Sequence, residues 1–245
     1  MGTIKKQKLA LRPETSLANV GNQISITNKI LKSIKDVQIN VFGTFTDPRD
    51  GNVYKTVKIG TQVWMAENLR YIPHVCPVKE EGGIWVYDYD GHDIEQAKST
   101  DNYKNYGCLY VWETAIKVCP SGWHLPTDEE WKKLEMHLGM TQIEADEGGW
   151  RGTDQGTRLK NTNGWNSGEY GTNTSGFSAL PGGFRYYLGT FQFIGYYGYW
   201  WSSSVFDAGS AWYRSLGYGS GSGGVCRSLD ARRSGFSIRC LGDFK

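Results

Sequence analysis

The chain has 245 residues, enough for one large domain or for one domain with a smaller appendage. Its 27 Lys+Arg against 25 Asp+Glu leave a formal net charge of +2, so no long-range field draws it to nucleic acid or to an anionic membrane. The 32 Gly, 10 Trp and 15 Tyr suit short strands, tight turns and contact loops, and argue against long helices.

Residues 1–43 intersperse Ile, Leu and Val with Lys, Asn, Gln and Thr, and no aromatic residue precedes Phe42. The alternations Gln23-Ile24-Ser25-Ile26-Thr27 and Val37-Gln38-Ile39-Asn40-Val41 predict short strands with one apolar face. So small a segment cannot close its own core, so it either packs on the rest of the chain or assembles with other copies. The sequence thus divides into a small β-rich attachment or oligomerisation segment, residues 1–46, and a ligand-binding domain, residues 47–245. A homotrimer is the expected assembly. No apolar stretch has signal-peptide or membrane-spanning length, which predicts neither Sec-dependent export nor membrane insertion.

The turn-formers Asp47-Pro48-Arg49-Asp50-Gly51-Asn52 precede an alternating run, Val53 to Ile59, then Gly60-Thr61-Gln62 and Val63-Trp64-Met65, which together predict a hairpin. Thr127 starts the clearest helix: its hydroxyl caps the chain, Glu130 reaches back, and Trp131, Leu134 and Leu138 share one face up to Gly139. A second helix runs from Thr141 through Glu147 to the pair Gly148-Gly149. From Phe177 onward aromatic runs broken by glycine predict three core strands, at Trp200–Ser204, Ala211–Leu216 and Gly235–Cys240.

Catalytic chemistry has little footing. His74, His92, His124 and His137 show no HxH or HxxxH spacing, and His124 reads as a structural turn residue. Ser202, Ser203 and Ser204 lack a nucleophile elbow, so no catalytic residue is assigned. The five cysteines contain no CxxC pair, which removes the usual zinc and thioredoxin-like spacings and leaves at least one thiol outside any intramolecular bridge. The acidic run Asp88 to Asp93 lacks the closing Glu of a calcium loop, and Asp128-Glu129-Glu130 reads as helix-start electrostatics. No cofactor and no metal are expected, and the chain reads as a non-enzyme.

Several segments resemble a known family: Asp50 to Gly60, Gln62 to Leu69, Cys119-Pro120-Ser121-Gly122-Trp123-His124-Leu125-Pro126, Gly176 to Gly183, and the three late strands. Together they resemble the Fibrobacter succinogenes major paralogous domain, in family order over about residues 47–243. The run Cys-Pro-x-Gly-Trp-x-Leu-Pro before a helix, with a last strand ending in Cys, is also similar to the C-type-lectin-like fold. That resemblance implies an α+β fold with two helices and short antiparallel strands, and a disulfide between Cys119 and Cys240. Cys76, Cys108 and Cys226 are left without an assigned partner.

The lectin-like resemblance further implies kinship with variable proteins of diversity-generating retroelements and with phage tail receptor-binding proteins, whose diversified residues lie late in the chain. The corresponding stretch here is 184–233. Its Tyr and Phe offer rigid contact area and its Ser and Gly adapt, as in a paratope. The expected ligand-binding residues are Tyr186, Tyr187, Gln192, Phe193, Tyr196, Tyr197, Phe206, Asp207, Ser210, Tyr218 and Ser220, whereas Trp200, Trp201, Trp212 and Phe236 are assigned to the core. The strip Gly217 to Gly224 reads equally as a linker. The implied function is a phage tail fibre or tail-tip adhesin, located in the virion, that binds a bacterial surface protein or glycan. The alternative is a cell-surface or secreted binding module. Formylglycine-generating enzymes share a distantly related fold and use cysteines for copper chemistry, but fold likeness alone carries no function.

Overall fold

The structure, a computed structural model, describes residues 41–166, 171–218 and 223–243, and Ser25 by itself. The chain divides into two compact units, residues 1–39 and 40–245. The alternating stretches of the first unit lie outside the described residues except for Ser25, which is helical where the alternation predicts a strand. Two apolar positions, Ile24 and Ile26, are too few to fix a strand against other conformations.

The second unit opens with a meander. Strand β1 (Val41–Thr46) pairs antiparallel with β2 (Val53–Ile59), and β2 with β3 (Gln62–Met65). The first turn closes on Asp47, whose wholly buried carboxylate holds Arg49 at 2.6 Å, and the second turns at Gly60, with φ +61°. The predicted hairpin is thus present, extended by β1. Strand β14 (Leu241–Gly242) bridges β3 to β6 (Trp123–His124), giving a five-stranded sheet in the order β1-β2-β3-β14-β6.

A second sheet of nine strands is built from β4 (Ile84–Trp85), β5 (Leu109–Val111), β13 (Gly235–Phe236), β8 (Gly182–Tyr186), β10 (Gly198–Val205), β11 (Ser210–Leu216), β12 (Val225–Ala231) and β7 (Gly149–Arg151), in that order, with β9 (Thr190–Ile194) paired to β8. All its pairings are antiparallel except the single contact of β10 with β8. Of the three predicted core strands, two are β10 and β11. The third is reduced to Gly235–Phe236, and the long partner of β11 is β12, in a stretch whose alternation is hidden by the buried cation Arg227.

Among the described residues there are six helices, not two: α1 (Ile94–Ser99), α2 (Asp101–Tyr106), α3 (Trp112–Val118), α4 (Asp128–His137), α5 (Gln142–Asp146) and α6 (Gln155–Leu159). The two read from sequence are α4 and α5, and each begins with a complete capping box, Thr127 with Glu130 and Thr141 with Glu144. The other four span five to seven residues, under two turns, too short to display a 3.6-residue apolar repeat. No described helix is long and apolar enough to cross a membrane. The architecture is mixed α+β.

Alternation on β10 divides the core. Trp201 faces a cluster with Tyr54, Tyr110, Trp112 and Phe236, its ring 4.2 Å from that of Phe236. Trp200 faces the opposite cluster, with Trp64, Trp131 and Phe177, between the five-stranded sheet and α4. Each indole N–H reaches an acceptor, Trp200 on the Asn68 side-chain oxygen at 2.9 Å and Trp201 on the Tyr110 carbonyl at 2.8 Å, so both rings are buried without stranding a donor.

Candidate ligand-binding surface

Strands β10, β11 and β12 turn one face toward α4 and carry a second set of side chains on the opposite face. Residues one apart point oppositely, so Arg214 and Arg227 share the α4 side while Tyr213, Ser228 and Asp230 share the other. The α4 side is clamped by charge. Asp128 accepts from Arg214 Nη1 at 2.7 Å and from Arg227 Nη2 at 2.8 Å; Glu135 accepts from Arg214 Nε at 2.6 Å and from Arg151 Nη2 at 2.5 Å. Glu135 and the three arginines are almost wholly buried. Burial on its own would raise the Asp128 pKa, but the hydrogen bond from Arg227 and the charge and hydrogen bond of Arg214 outweigh it and hold the carboxyl at about 2. Asp128 is thus the hub of a buried ion network, a correction to its reading as a mere helix-start charge.

The other face carries a run of neighbouring aromatic rings, joined in the middle by the buried Phe184. Ring neighbours run from Tyr187 to Tyr186 (4.4 Å between centroids), on to Phe184 (6.3 Å), Phe193 (6.0 Å), Tyr197 (5.5 Å), Tyr218 (5.8 Å) and Tyr196 (4.8 Å). Six expected binding residues therefore lie together: Tyr186, Tyr187, Phe193, Tyr196, Tyr197 and Tyr218. Phe193, Tyr196 and Tyr218 are 48%, 39% and 38% exposed. Phe193, near the end of β9, holds a positive φ of 63°, rare for an aromatic residue.

Sequence reasoning missed four rings here: Phe184 within the run, and three beside or beneath it. Trp150, on β7 and half exposed, lies 6.4 Å from Tyr197, and Tyr199 and Tyr213 form the floor, 5.9 Å apart. Burial pushes the Tyr213 hydroxyl up to about 12 and Tyr199 higher still, so both stay protonated donors. Beside them sits Asp230, its carboxyl raised by burial and held by the Ser234 hydroxyl at 2.7 Å. The ensemble offers flat apolar area, phenol donors and one carboxyl acceptor, the repertoire of a recognition surface.

The remaining expected residues lie elsewhere. Phe206 and Asp207 lie in the β10–β11 hairpin turn and Ser210 begins β11; the Asp207 carboxylate accepts the backbone N–H groups of Gly209 (2.8 Å) and Ser210 (2.7 Å). Phe206 is 57% exposed and packs edge-on against Trp212, 5.6 Å away on the α4-facing side. Trp212, assigned to the core from sequence, is half-buried and lies under the Arg227 guanidinium at 3.7 Å. It fails to reach the core because Arg227 occupies that side. Gln192 donates to the Thr190 hydroxyl at 3.2 Å, and Ser220 lies outside the described residues.

Cys119 and Cys240 are bonded, with Cα atoms 6.0 Å apart, and the bridge closes 121 residues of chain. Cys108 and Cys226 are buried thiols, and Cys76 is a half-buried one. A paired-thiol metal site at Cys226 and Cys240 would compete with that bridge. His124 sits between Glu130, at 3.0 Å from Nε2, and Asp243, against Nδ1. The hydrogen bond to Glu130, opposed by burial and helped by Asp243, raises its pKa. Ser202 accepts the Ser204 N–H and Ser204 accepts the Asp128 N–H, so both hydroxyls have structural partners.

Four of the segments that carried the family resemblance, Gln62 to Leu69, Gly176 to Gly183 and the late strands at Trp200 and Ser237, meet around one side chain. Asn68 donates to the Tyr106 carbonyl (2.8 Å) and to the Ser237 hydroxyl (3.2 Å), and its oxygen accepts from Trp200 and, at 2.8 Å, from Arg239. Arg239 in turn binds the carbonyls of Phe177 and Ser178. Pieces more than 100 residues apart in sequence are stitched by these bonds, which gives a physical reason for their joint presence. Searches of curated proteins and of solved structures return no match. The profile of the Fibrobacter succinogenes major domain matches residues 57–241, and the chain belongs to that family.

Proposed function

We propose that this chain is a non-catalytic ligand-binding protein on a C-type-lectin-like scaffold, a phage tail fibre or tail-tip adhesin that recognises a bacterial surface protein or glycan. The observation that carries the reading is the run of neighbouring rings from Tyr187 to Tyr196, joined through the buried Phe184, with Phe193, Tyr196 and Tyr218 well exposed. Soluble domains rarely leave large contiguous apolar area open unless it meets something. Tyrosine is also the side chain that dominates contact energy in recognition surfaces. The bridge between Cys119 and Cys240, where the lectin-like resemblance implies one, favours the scaffold. The unit of residues 1–39 is the attachment and trimerisation element in this reading.

Replacing Tyr186, Tyr196 and Tyr218 together by Ala should abolish adsorption of particles carrying the protein to host cells while leaving its unfolding midpoint in place. Adsorption unchanged from the parent defeats the proposal. Immunodetection of the protein in purified particles is expected; detection in the cell envelope instead would replace the phage assignment by that of a cell-surface binding module.

A further inference from the structure

A cleft of about 140 Å³ is lined by Lys55, Glu67, Arg70, Asn105, Asn161 and Arg239, among others, and by none of the rings of the aromatic surface. One water needs only about 10–15 Å³, so a small polyatomic group fits with hydration to spare. The lining is unbalanced: three cations face one carboxylate. That carboxylate, Glu67, already accepts the Lys55 backbone N–H at 2.7 Å and Arg70 Nη1 at 3.4 Å.

Arg239 is 1% exposed. Its hydrogen bonds go to Asn68 Oδ1 at 2.8 Å and to the carbonyls of Met65 at 3.3 Å, Phe177, and Ser178 at 3.0 Å, neutral oxygens throughout. Four of its five guanidinium N–H groups are thereby used, and the cation keeps its charge uncompensated at close range. Burial drags its pKa down to about 9, with Glu67 opposing, which marks how unfavourable the isolated charge is. Lys55 is exposed at the rim and forms no ion pair among the described residues.

We propose that this cleft binds a small oxyanion, the phosphate, sulfate or carboxylate end of a ligand, with Arg239 supplying charge from within and Lys55 closing over it. The site is separate from the aromatic surface and does not depend on that surface binding anything.

The test is calorimetric titration of the full chain with inorganic phosphate, sulfate and acetate, each at ionic strength matched with KCl, alongside Lys55→Gln. Saturable binding is expected, and NMR shifts on saturation should centre on Ala66, Gly107 and the Arg239 Nε–H. In Lys55→Gln, affinity should fall by roughly ten-fold or more, as loss of one charge-assisted hydrogen bond implies. Binding of phosphate or sulfate alone assigns a tetrahedral anion, and binding of acetate a carboxylate. Failure of all three to bind saturably, shifts confined to other residues, or equal affinity in Lys55→Gln overturns the proposal.

Discussion

Glu135→Gln is the sharpest perturbation of the clamp beneath the aromatic sheet. The Glu135 side chain is wholly buried and accepts from Arg151 at 2.5 Å and Arg214 at 2.6 Å. The amide keeps the shape and one acceptor but removes the charge, so two buried guanidinium groups face each other with Asp128 left to balance Arg214 and Arg227. Breaking a buried pair from one side costs about 3–5 kcal/mol, because the surviving charge stays buried without its counterion. In a domain of this size each kcal/mol moves Tm by about 2–4 °C, so the midpoint should drop by roughly 6–20 °C. Guanidinium denaturation should show a lower midpoint at unchanged m. The control is Glu129→Gln, whose 69% exposed carboxylate holds Lys132 at 2.7 Å. It should cost no more than about 1 kcal/mol. A Glu135→Gln loss as small as that of the control would refute the claim that these charges act in a desolvated interior.

Two further outcomes follow from other contacts. Reducing Cys119–Cys240, or replacing both residues by Ala, frees 121 residues of closed chain, for which the chain-entropy relation gives about 5 kcal/mol; a denaturant midpoint equal in both redox states would contradict it. His124 has its pKa raised by Glu130 first and Asp243 second, so its stabilisation is complete below about 6.5 and fades as pH rises through the raised value. An NMR titration should place the His124 midpoint above 6.5 and move it down in Glu130→Gln; a midpoint at or below 6.5 in the parent protein would be inconsistent with the geometry.

The parts of the fold that sequence exposes are those with local signals. The capping residues Thr127 and Thr141 announce α4 and α5, and the alternation around Gly60 announces β2 and β3. Helices α1, α2, α3 and α6 carry too few residues to form a stripe. Strand β12 escapes because its buried positions include Arg227, a residue that pattern reading assigns to solvent; its partner Asp128 lies 99 residues away. The same non-locality hides part of the surface. Tyr186, Tyr196 and Tyr218 belong to one late stretch, but Trp150 reaches Tyr197 from β7 only because β7 pairs with β12.

Strand alternation also sets which rings are free to change. The ion clamp holds β11 and β12 from the α4 side through Arg214 and Arg227, so side chains on the opposite face can be exchanged without touching it. The opposite face is not uniform. Tyr199 and Tyr213 lie 5.3 Å and 5.0 Å from Phe236, which itself stacks on Trp201, so truncating either opens the core and costs stability as well as contact area. Tyr196 and Tyr218 touch mainly each other and Tyr197, and Tyr186 leans on Tyr187 and the edge of Phe184. A surface selected for changing partners would therefore vary at Tyr186, Tyr187, Phe193, Tyr196 and Tyr218 while Tyr199 and Tyr213 remain as floor. Exposed contact area and stability separate along that line, because the outer rings rest on a layer that the clamp already fixes.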